Sequence, residues 1–253
     1  MILYSDILVR GGARFYTDLR ITKLRSSFFN IRGRLLLKRT IILAAFVGCL
    51  AAAVQAPERK VVNNNIIISD HDPKVRIELP KSVWYVGVDR FILQDIADCE
   101  LYAFVEVDDQ KNVQRLYWIQ FEDYLPSKPD LHHHYDSPRR MTISGFRFYV
   151  DTWVKRTNEN ITTGSDEDHI MALILSRGYK MPAGMMSVRL VHLLDEQKRK
   201  ELMIIYSESL KPTGFEAADL KKGGKAENLW LTLEDDLLLR ARQEIKIEPT
   251  NNP

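Results

Sequence analysis

The chain has 253 residues and only two cysteines, Cys49 and Cys99. Cys49 lies inside an apolar run near the N-terminus, and Cys99 begins a stretch whose alternation is typical of a β-strand. If the apolar run is removed from the mature protein, a single thiol remains and no intramolecular disulfide can form. The folded part must then be stabilised by a hydrophobic core, for which 45% hydrophobic residues are ample.

The chain also has little net charge, +2. The basic excess is confined to residues 1–39, which contain nine Lys or Arg and two Asp, whereas residues 57–253 contain 27 basic and 32 acidic residues. A mildly acidic body lacks the basic surface that nucleic-acid-binding proteins present. We therefore expect a small molecule or a protein as partner, and no nucleic acid.

Long apolar runs are absent except for residues 40–56, which contain no charged side chain. This run follows the basic pair Lys38–Arg39 and ends in the small or short side chains of Val-Gln-Ala. Such an order is typical of a secretory signal, so residues 1–56 are predicted to be a basic leader plus signal peptide of a periplasmic or secreted protein. The alternatives are an organellar transit peptide and an uncleaved single-pass anchor, which would contact the membrane only through residues 40–56.

No internal repeat or low-complexity tract follows, and the periodicity beyond residue 57 is mainly that of strands. Strands are predicted at 74–80, 82–91, 99–107, 113–124, 145–156, 186–195 and 201–209. Two hairpins are expected, one that pairs 99–107 with 113–121 and one that pairs 186–195 with 201–209.

Two helices complete the predicted fold. The first begins at the N-cap Ser165 and ends at Gly178. The second, within 231–247, has an apolar stripe formed by Leu233, Leu237, Leu238, Ala241 and Ile245. The sequence thus predicts an α+β fold, in which a mainly antiparallel sheet of six or seven strands has both helices packed on one face. Residues 57–74 are interpreted as a linker, 75–247 as a single domain and 248–253 as a tail.

Established catalytic motifs such as His-Glu-x-x-His are lacking, but the segment "DLHHHYD" contains three consecutive histidines. If the segment is extended, four potential ligands of zinc or another divalent metal lie on one side: Asp130, His132, His134 and Asp136. The prolines at 126, 129 and 138 indicate a surface loop, in which histidines are commonly solvated. We therefore expect no cofactor, with a divalent metal such as zinc as the alternative.

Aromatic side chains are concentrated on the predicted strands, where cross-strand packing is their usual role. A second interpretation is a small-ligand pocket between one sheet face and the C-terminal helix. The predicted lining residues are chosen only because alternate side chains of a strand share a face: Trp118, Gln120, Arg147 and Tyr149. The sequence therefore favours an exported, non-enzymatic binding or accessory protein, and its alternative is a metal-dependent hydrolase that uses the 130–136 cluster.

Overall fold

The computed structural model describes residues 58–250 of the chain. The predicted leader and signal segment, residues 1–56, lies outside this range, as do the last three residues of the predicted tail. Within 58–250, no helix is both long and apolar enough to cross a membrane.

A seven-stranded antiparallel sheet organises these residues, in the strand order β4-β5-β6-β10-β9-β8-β7. Its strands are β4 (Trp84–Leu93), β5 (Ala97–Val107), β6 (Val113–Tyr124), β7 (Arg139–Ile143), β8 (Phe146–Arg156), β9 (Gly184–Leu193) and β10 (Lys200–Ser209). Both predicted hairpins form, since β5 pairs with β6 and β9 with β10. The central strands are buried on both faces, so β6 and β10 are buried along most of their length although both include polar side chains.

Four short strands form a second sheet in the order β1-β2-β3-β11: β1 (Lys60–Val62), β2 (Ile66–Ser69), β3 (Val75–Glu78) and β11 (Lys246–Pro249). The segment that we interpreted as a linker, 57–74, thus contains two strands. Asn63 and Asn64 turn the chain between them with φ of 53° and 59°, a conformation that Asn tolerates better than most residues. The start of the predicted tail also belongs to β11.

Residues 58–250 contain three α-helices: α1 (Asp166–Ser176), α2 (Ala217–Leu220) and α3 (Trp230–Glu244). Ser165 caps α1 as predicted, because its side chain accepts a hydrogen bond from the backbone N–H of Asp168. The C-terminal helix is shorter than predicted. The backbone of Ile245 is extended, and Ile247 pairs with Ile77 of β3. Ile245 and Ile247 are both buried, so their side chains alternate as in a β-strand and do not continue the helix.

The prediction that both helices cover one sheet face is wrong, because α1 and α3 pack on opposite faces. Ile170, Met171 and Ile174 of α1 pack with the face that carries Trp118, here called the α1 face. Leu237 and Ala241 of α3 pack with the other face, the α3 face, which the small sheet also covers. The chain is therefore sheet-rich with an α+β-like fold, in which two hydrophobic clusters are separated by the larger sheet.

Candidate functional site

Two glutamates face each other across the centre of the larger sheet. Glu122 of β6 and Glu201 of β10 are direct cross-strand partners, and their residues are only 4% and 0% exposed. Side chains in this relationship have Cβ atoms about 5 Å apart, where two like charges are destabilising. Burial, followed by the charge of Glu201, raises the pKa of Glu122 well above its usual value. Burial also raises the pKa of Glu201, to about 7.

The Glu201 carboxyl group is held from outside the sheet by two side chains. The Tyr135 hydroxyl donates a hydrogen bond of 2.6 Å to Oε2, and Nδ1 of His133 lies 3.1 Å from the same oxygen. Burial lowers the pKa of His133 to about 4, so its ring is neutral at pH 7. Two atoms here, Oε1 of Glu201 and Nε2 of His133, are buried and have no hydrogen-bond partner among residues 58–250.

The Glu122 carboxyl group ends a relay of side chains along β6. Nε1 of Trp118 donates to Oε1 of Gln120 at 3.0 Å, and Nε2 of Gln120 donates to Oε2 of Glu122 at 3.2 Å. Cys99 of β5 is the cross-strand partner of Glu122 on the other side, and burial raises the pKa of its thiol. The Cys99 thiol is therefore part of a buried polar row.

Residues 125–138, which connect β6 to β7, form an ordered strap over this row. Arg199 positions the strap: its guanidinium group donates to the carbonyls of Tyr124, Leu125, Lys128, Pro129 and Leu131 at 2.8–3.0 Å. The backbone N–H of His133 donates to the Lys198 carbonyl at 2.7 Å, and Ser137 donates to Asp151 at 2.8 Å. A long connection without secondary structure is more often functional than a simple turn.

The predicted metal ligands lie on the outer side of the strap. Asp130, His132, His134 and Asp136 are all exposed, as the alternation predicts, whereas His133 is 5% exposed and points inward. Among residues 58–250, no group of three or more His, Cys, Asp or Glu side chains is placed to hold a metal ion. The strap histidine that contacts the buried carboxyl group is thus the one that the metal hypothesis leaves out.

The four predicted lining residues share the α1 face but do not form one cluster. Trp118 and Gln120 are buried, Tyr149 is half-buried and Arg147 is exposed near the β7 edge. The register places Tyr149 and Gln120 in one row with β9 and β10 between them, a separation of about 14 Å. The C-terminal helix packs on the opposite face, so the expected pocket between α3 and Trp118 is wrong.

A different pocket, with a volume of about 190 Å³, lies where β5 begins, β6 ends and β10 begins. Its lining residues on the sheet include Glu100 and Phe121 of the α3 face. Glu122 and Glu201 also border it, but their side chains point to the α1 face and both residues are at most 4% exposed. The other acidic residues of the lining are Glu58, Asp72, Asp98, Glu100 and Asp123, which line it with Arg59, Arg90, Lys200 and His71.

The basic side chains of this acidic pocket are engaged by its outer carboxylates. Arg59 contacts Glu100 at 3.1 Å, and Arg90 contacts Asp98 at 2.8 Å and Glu58 at 2.9 Å.

Lys200 contacts Asp72 at 2.9 Å and Asp123 at 3.4 Å. The three bases Arg59, Arg90 and Lys200 therefore pair with carboxylates on the same side of the sheet, whereas Glu122 and Glu201 belong to the buried row on the α1 face.

Comparison with known proteins identifies no relative: no family model matches the chain, nor does any curated protein or any solved structure.

Proposed function

We propose that this protein is an exported, non-enzymatic binding protein whose acidic pocket takes a small cationic ligand. The observation that carries the proposal is the composition of the pocket lining, in which the carboxyl side chains of Glu58, Asp72, Asp98, Glu100 and Asp123 accompany three Arg or Lys. A cleft lined mainly by one sign of charge attracts ligands of the opposite sign and disfavours others.

The size of the pocket favours a small ligand. A volume of about 190 Å³ corresponds to roughly six water molecules in the liquid. A short diamine or a quaternary ammonium ion is of this order, whereas a nucleotide is far larger. Phe121 and Tyr124 contribute aromatic surface to the lining. The Phe121 ring already receives one cation, since the Arg59 guanidinium lies 3.8 Å from its centroid.

Support for export comes from the sequence of residues 38–56, where a basic pair precedes an uncharged run with small residues at its end. Glu58 and Arg59, which follow this segment closely in the sequence, are fixed by hydrogen bonds. The backbone N–H groups of Glu58 and Arg59 donate to the Glu100 carboxylate at 3.1–3.2 Å. Removal of residues 1–56 would therefore leave these contacts of the pocket wall in place.

Calorimetric titration of the full-length chain tests the binding proposal. Putrescine and choline are the cationic probes, and succinate is an anionic probe of similar size. We expect both or one of the cations to bind, and succinate to give no binding heat. If succinate binds as well as the cations do, or if no cation binds, the proposal is wrong.

Matched variants locate the site. Asp123→Asn neutralises a pocket carboxylate that is half exposed, so the fold should tolerate it. We expect this change to weaken cation binding about three- to tenfold, since it removes one partly screened charge interaction of about 1 kcal/mol. Asp109→Asn makes the same chemical change in the exposed β5–β6 turn, outside the pocket, and should leave the affinity unchanged.

A further inference from the structure

We propose that the acidic pocket binds a short linear diamine, whose two ammonium groups lie at two separate acidic poles of the lining. This inference rests on the proposed function, because it names the class of ligand for the same pocket. It selects a diamine over the other small cation that suits the volume, a quaternary ammonium ion.

The ion pairs of the lining form two groups, and the first is here called the Arg90 pole. Arg90 contacts Asp98 at 2.8 Å and Glu58 at 2.9 Å, and Arg59 contacts Glu100 at 3.1 Å. Nε and Nη2 of Arg90 both donate to Asp98, a bidentate geometry that fixes the two side chains. Three carboxylates against two guanidinium groups give this pole a net charge of −1.

The second group, here called the Lys200 pole, consists of Lys200, Asp72 and Asp123. Nζ of Lys200 lies 2.9 Å from Oδ2 of Asp72 and 3.4 Å from Oδ2 of Asp123. Two carboxylates against one ammonium group again give a net charge of −1, with the lining histidine, His71, counted as neutral. The pocket therefore has an excess negative charge at each pole, which one ammonium group of a diamine would balance.

The two poles meet at Asp98 and Asp123. These residues are direct cross-strand partners on β5 and β6, and their side chains share the α3 face of the sheet with Glu100 and Phe121. Like charges in this position, with Cβ atoms about 5 Å apart, repel each other. The two side chains are 28% and 49% exposed, so a ligand can reach both. A dication that lies across them would offset their repulsion.

The aromatic rings of the lining are already engaged, which argues against a quaternary ammonium ligand. Such ions are recognised by free aromatic faces. The Arg59 guanidinium group lies 3.8 Å from the centroid of the Phe121 ring, and the Tyr124 ring stacks on His133 at 4.4 Å. Primary ammonium groups instead donate hydrogen bonds to carboxylate oxygens, which this pocket has in excess.

The methylene chain of a diamine also suits the pocket. Putrescine has about as many non-hydrogen atoms as the number of water molecules that the pocket volume of about 190 Å³ would hold. Apolar surface for its chain is supplied by part of the lining, namely Leu125, Pro126 and Leu194.

Calorimetric titration of the full-length chain at pH 7.5 with putrescine, butylamine and choline tests the two poles. Butylamine has the carbon chain of putrescine but only one ammonium group. We expect putrescine to bind about three- to tenfold more tightly than either monocation, because its second ion pair lies in a partly exposed site. If butylamine or choline binds as tightly as putrescine, the two-pole inference is wrong and the binding proposal stands. If none of the three binds, both are wrong.

Two variants change the charge of the Lys200 pole in opposite directions. Asp123→Asn makes the pole neutral, whereas Lys200→Met keeps the aliphatic stem and makes the pole −2. We expect Asp123→Asn to weaken putrescine binding about three- to tenfold and Lys200→Met to strengthen it by a similar factor.

Asp109→Asn, outside the pocket, is the control and should leave the affinity for putrescine unchanged. Far-UV circular dichroism checks that each variant is folded. Weaker binding in both folded pole variants would overturn the inference, because an effect of the charge at this pole must change sign between them.

Discussion

The Tyr135 hydroxyl donates a 2.6 Å hydrogen bond to Oε2 of Glu201, a residue that is 66 positions away in the chain and fully buried. This bond joins the strap to the central strand β10 on the α1 face of the sheet. The strap is therefore attached to a feature that a purely hydrophobic core would not contain, a pair of opposed carboxyl groups.

Tyr135→Phe removes this donor and leaves the ring in place. We expect the free energy of unfolding to fall by about 1.5–3 kcal/mol, the usual contribution of a buried hydrogen bond to a charged group. The loss should be larger at pH 8 than at pH 5.5, because the bond stabilises the ionised carboxylate more than the acid. Urea unfolding at the two pH values measures it. Tyr149→Phe, which changes a half-buried tyrosine on the same face, is the control.

The raised pKa values of Glu122 and Glu201 make stability depend on pH. Between the unfolded value, about 4.5, and the folded value of Glu201, about 7, the folded chain holds more protons than the unfolded chain. The contribution of the pair is therefore fully present below about pH 4.5 and is lost as pH rises through 7. We therefore expect the free energy of unfolding to fall between pH 5 and pH 8 because of these two glutamates.

Glu122→Gln removes one of the two like charges. It should raise the free energy of unfolding at pH 8 by about 1–3 kcal/mol and have a smaller effect at pH 5. Chemical unfolding across this range compares the variant with the wild type. A variant that is less stable than the wild type at pH 8 would show that repulsion between Glu122 and Glu201 does not destabilise the fold.

Arg199 is expected to control the order of the strap, because it donates to five of the carbonyls along residues 124–131. Arg199→Met keeps the aliphatic stem and removes every donor. We expect a loss of about 2–3 kcal/mol in stability and faster hydrogen exchange across residues 125–138, measured by mass spectrometry. Arg147→Met, at an exposed arginine, should change neither quantity.

Periodicity predicts most of the sheet, because the alternation in β5, β6, β9 and β10 is strong and the hairpin turns are short. It fails for β1 and β2, where three asparagines and an isoleucine run indicate a linker, and for β11, which continues directly from α3. Their strand character depends on burial against the larger sheet, where Ile67, Ile77 and Ile247 are at most 1% exposed. A tertiary contact of this kind leaves no local pattern in a single sequence.

The candidate site was only partly accessible to sequence reasoning. The alternation of side chains correctly predicts that His133 points away from His132 and His134. The metal hypothesis, however, selects the exposed side chains and leaves His133 out. Glu122 is an alternate residue of the same strand as Trp118 and Gln120, so the sequence predicts that its carboxyl group lies on the same sheet face as these two side chains. Its pairing with Glu201 could not be predicted, because β6 and β10 are separated by more than 70 residues and their register is set by the whole sheet.

The exposed strap residues test the hydrolase hypothesis. We expect the purified, untagged protein to contain no stoichiometric zinc, because the side chains of His132 and His134 point to solvent and no third ligand is placed with them in the described part of the chain. Elemental analysis after dialysis measures this. Stoichiometric zinc that is lost in the double variant His132→Ala, His134→Ala would instead favour a metal-dependent hydrolase that uses Asp130 and Asp136 as further ligands.

Export predicts a mature N-terminus near Pro57. Signal removal at this point would leave the Glu58 and Arg59 N–H groups on the Glu100 carboxylate, and the Arg59 side chain on Glu100 and Ser69, so the pocket wall would stay assembled. N-terminal sequencing of the native protein from its source cells should therefore begin at residue 57. Ala56→Pro, which blocks a small-residue cleavage site, should give a longer, membrane-associated product. Recovery of residues 1–56 intact on a soluble cytosolic protein would contradict export, whereas an intact but membrane-bound chain would identify the run at 40–56 as an anchor.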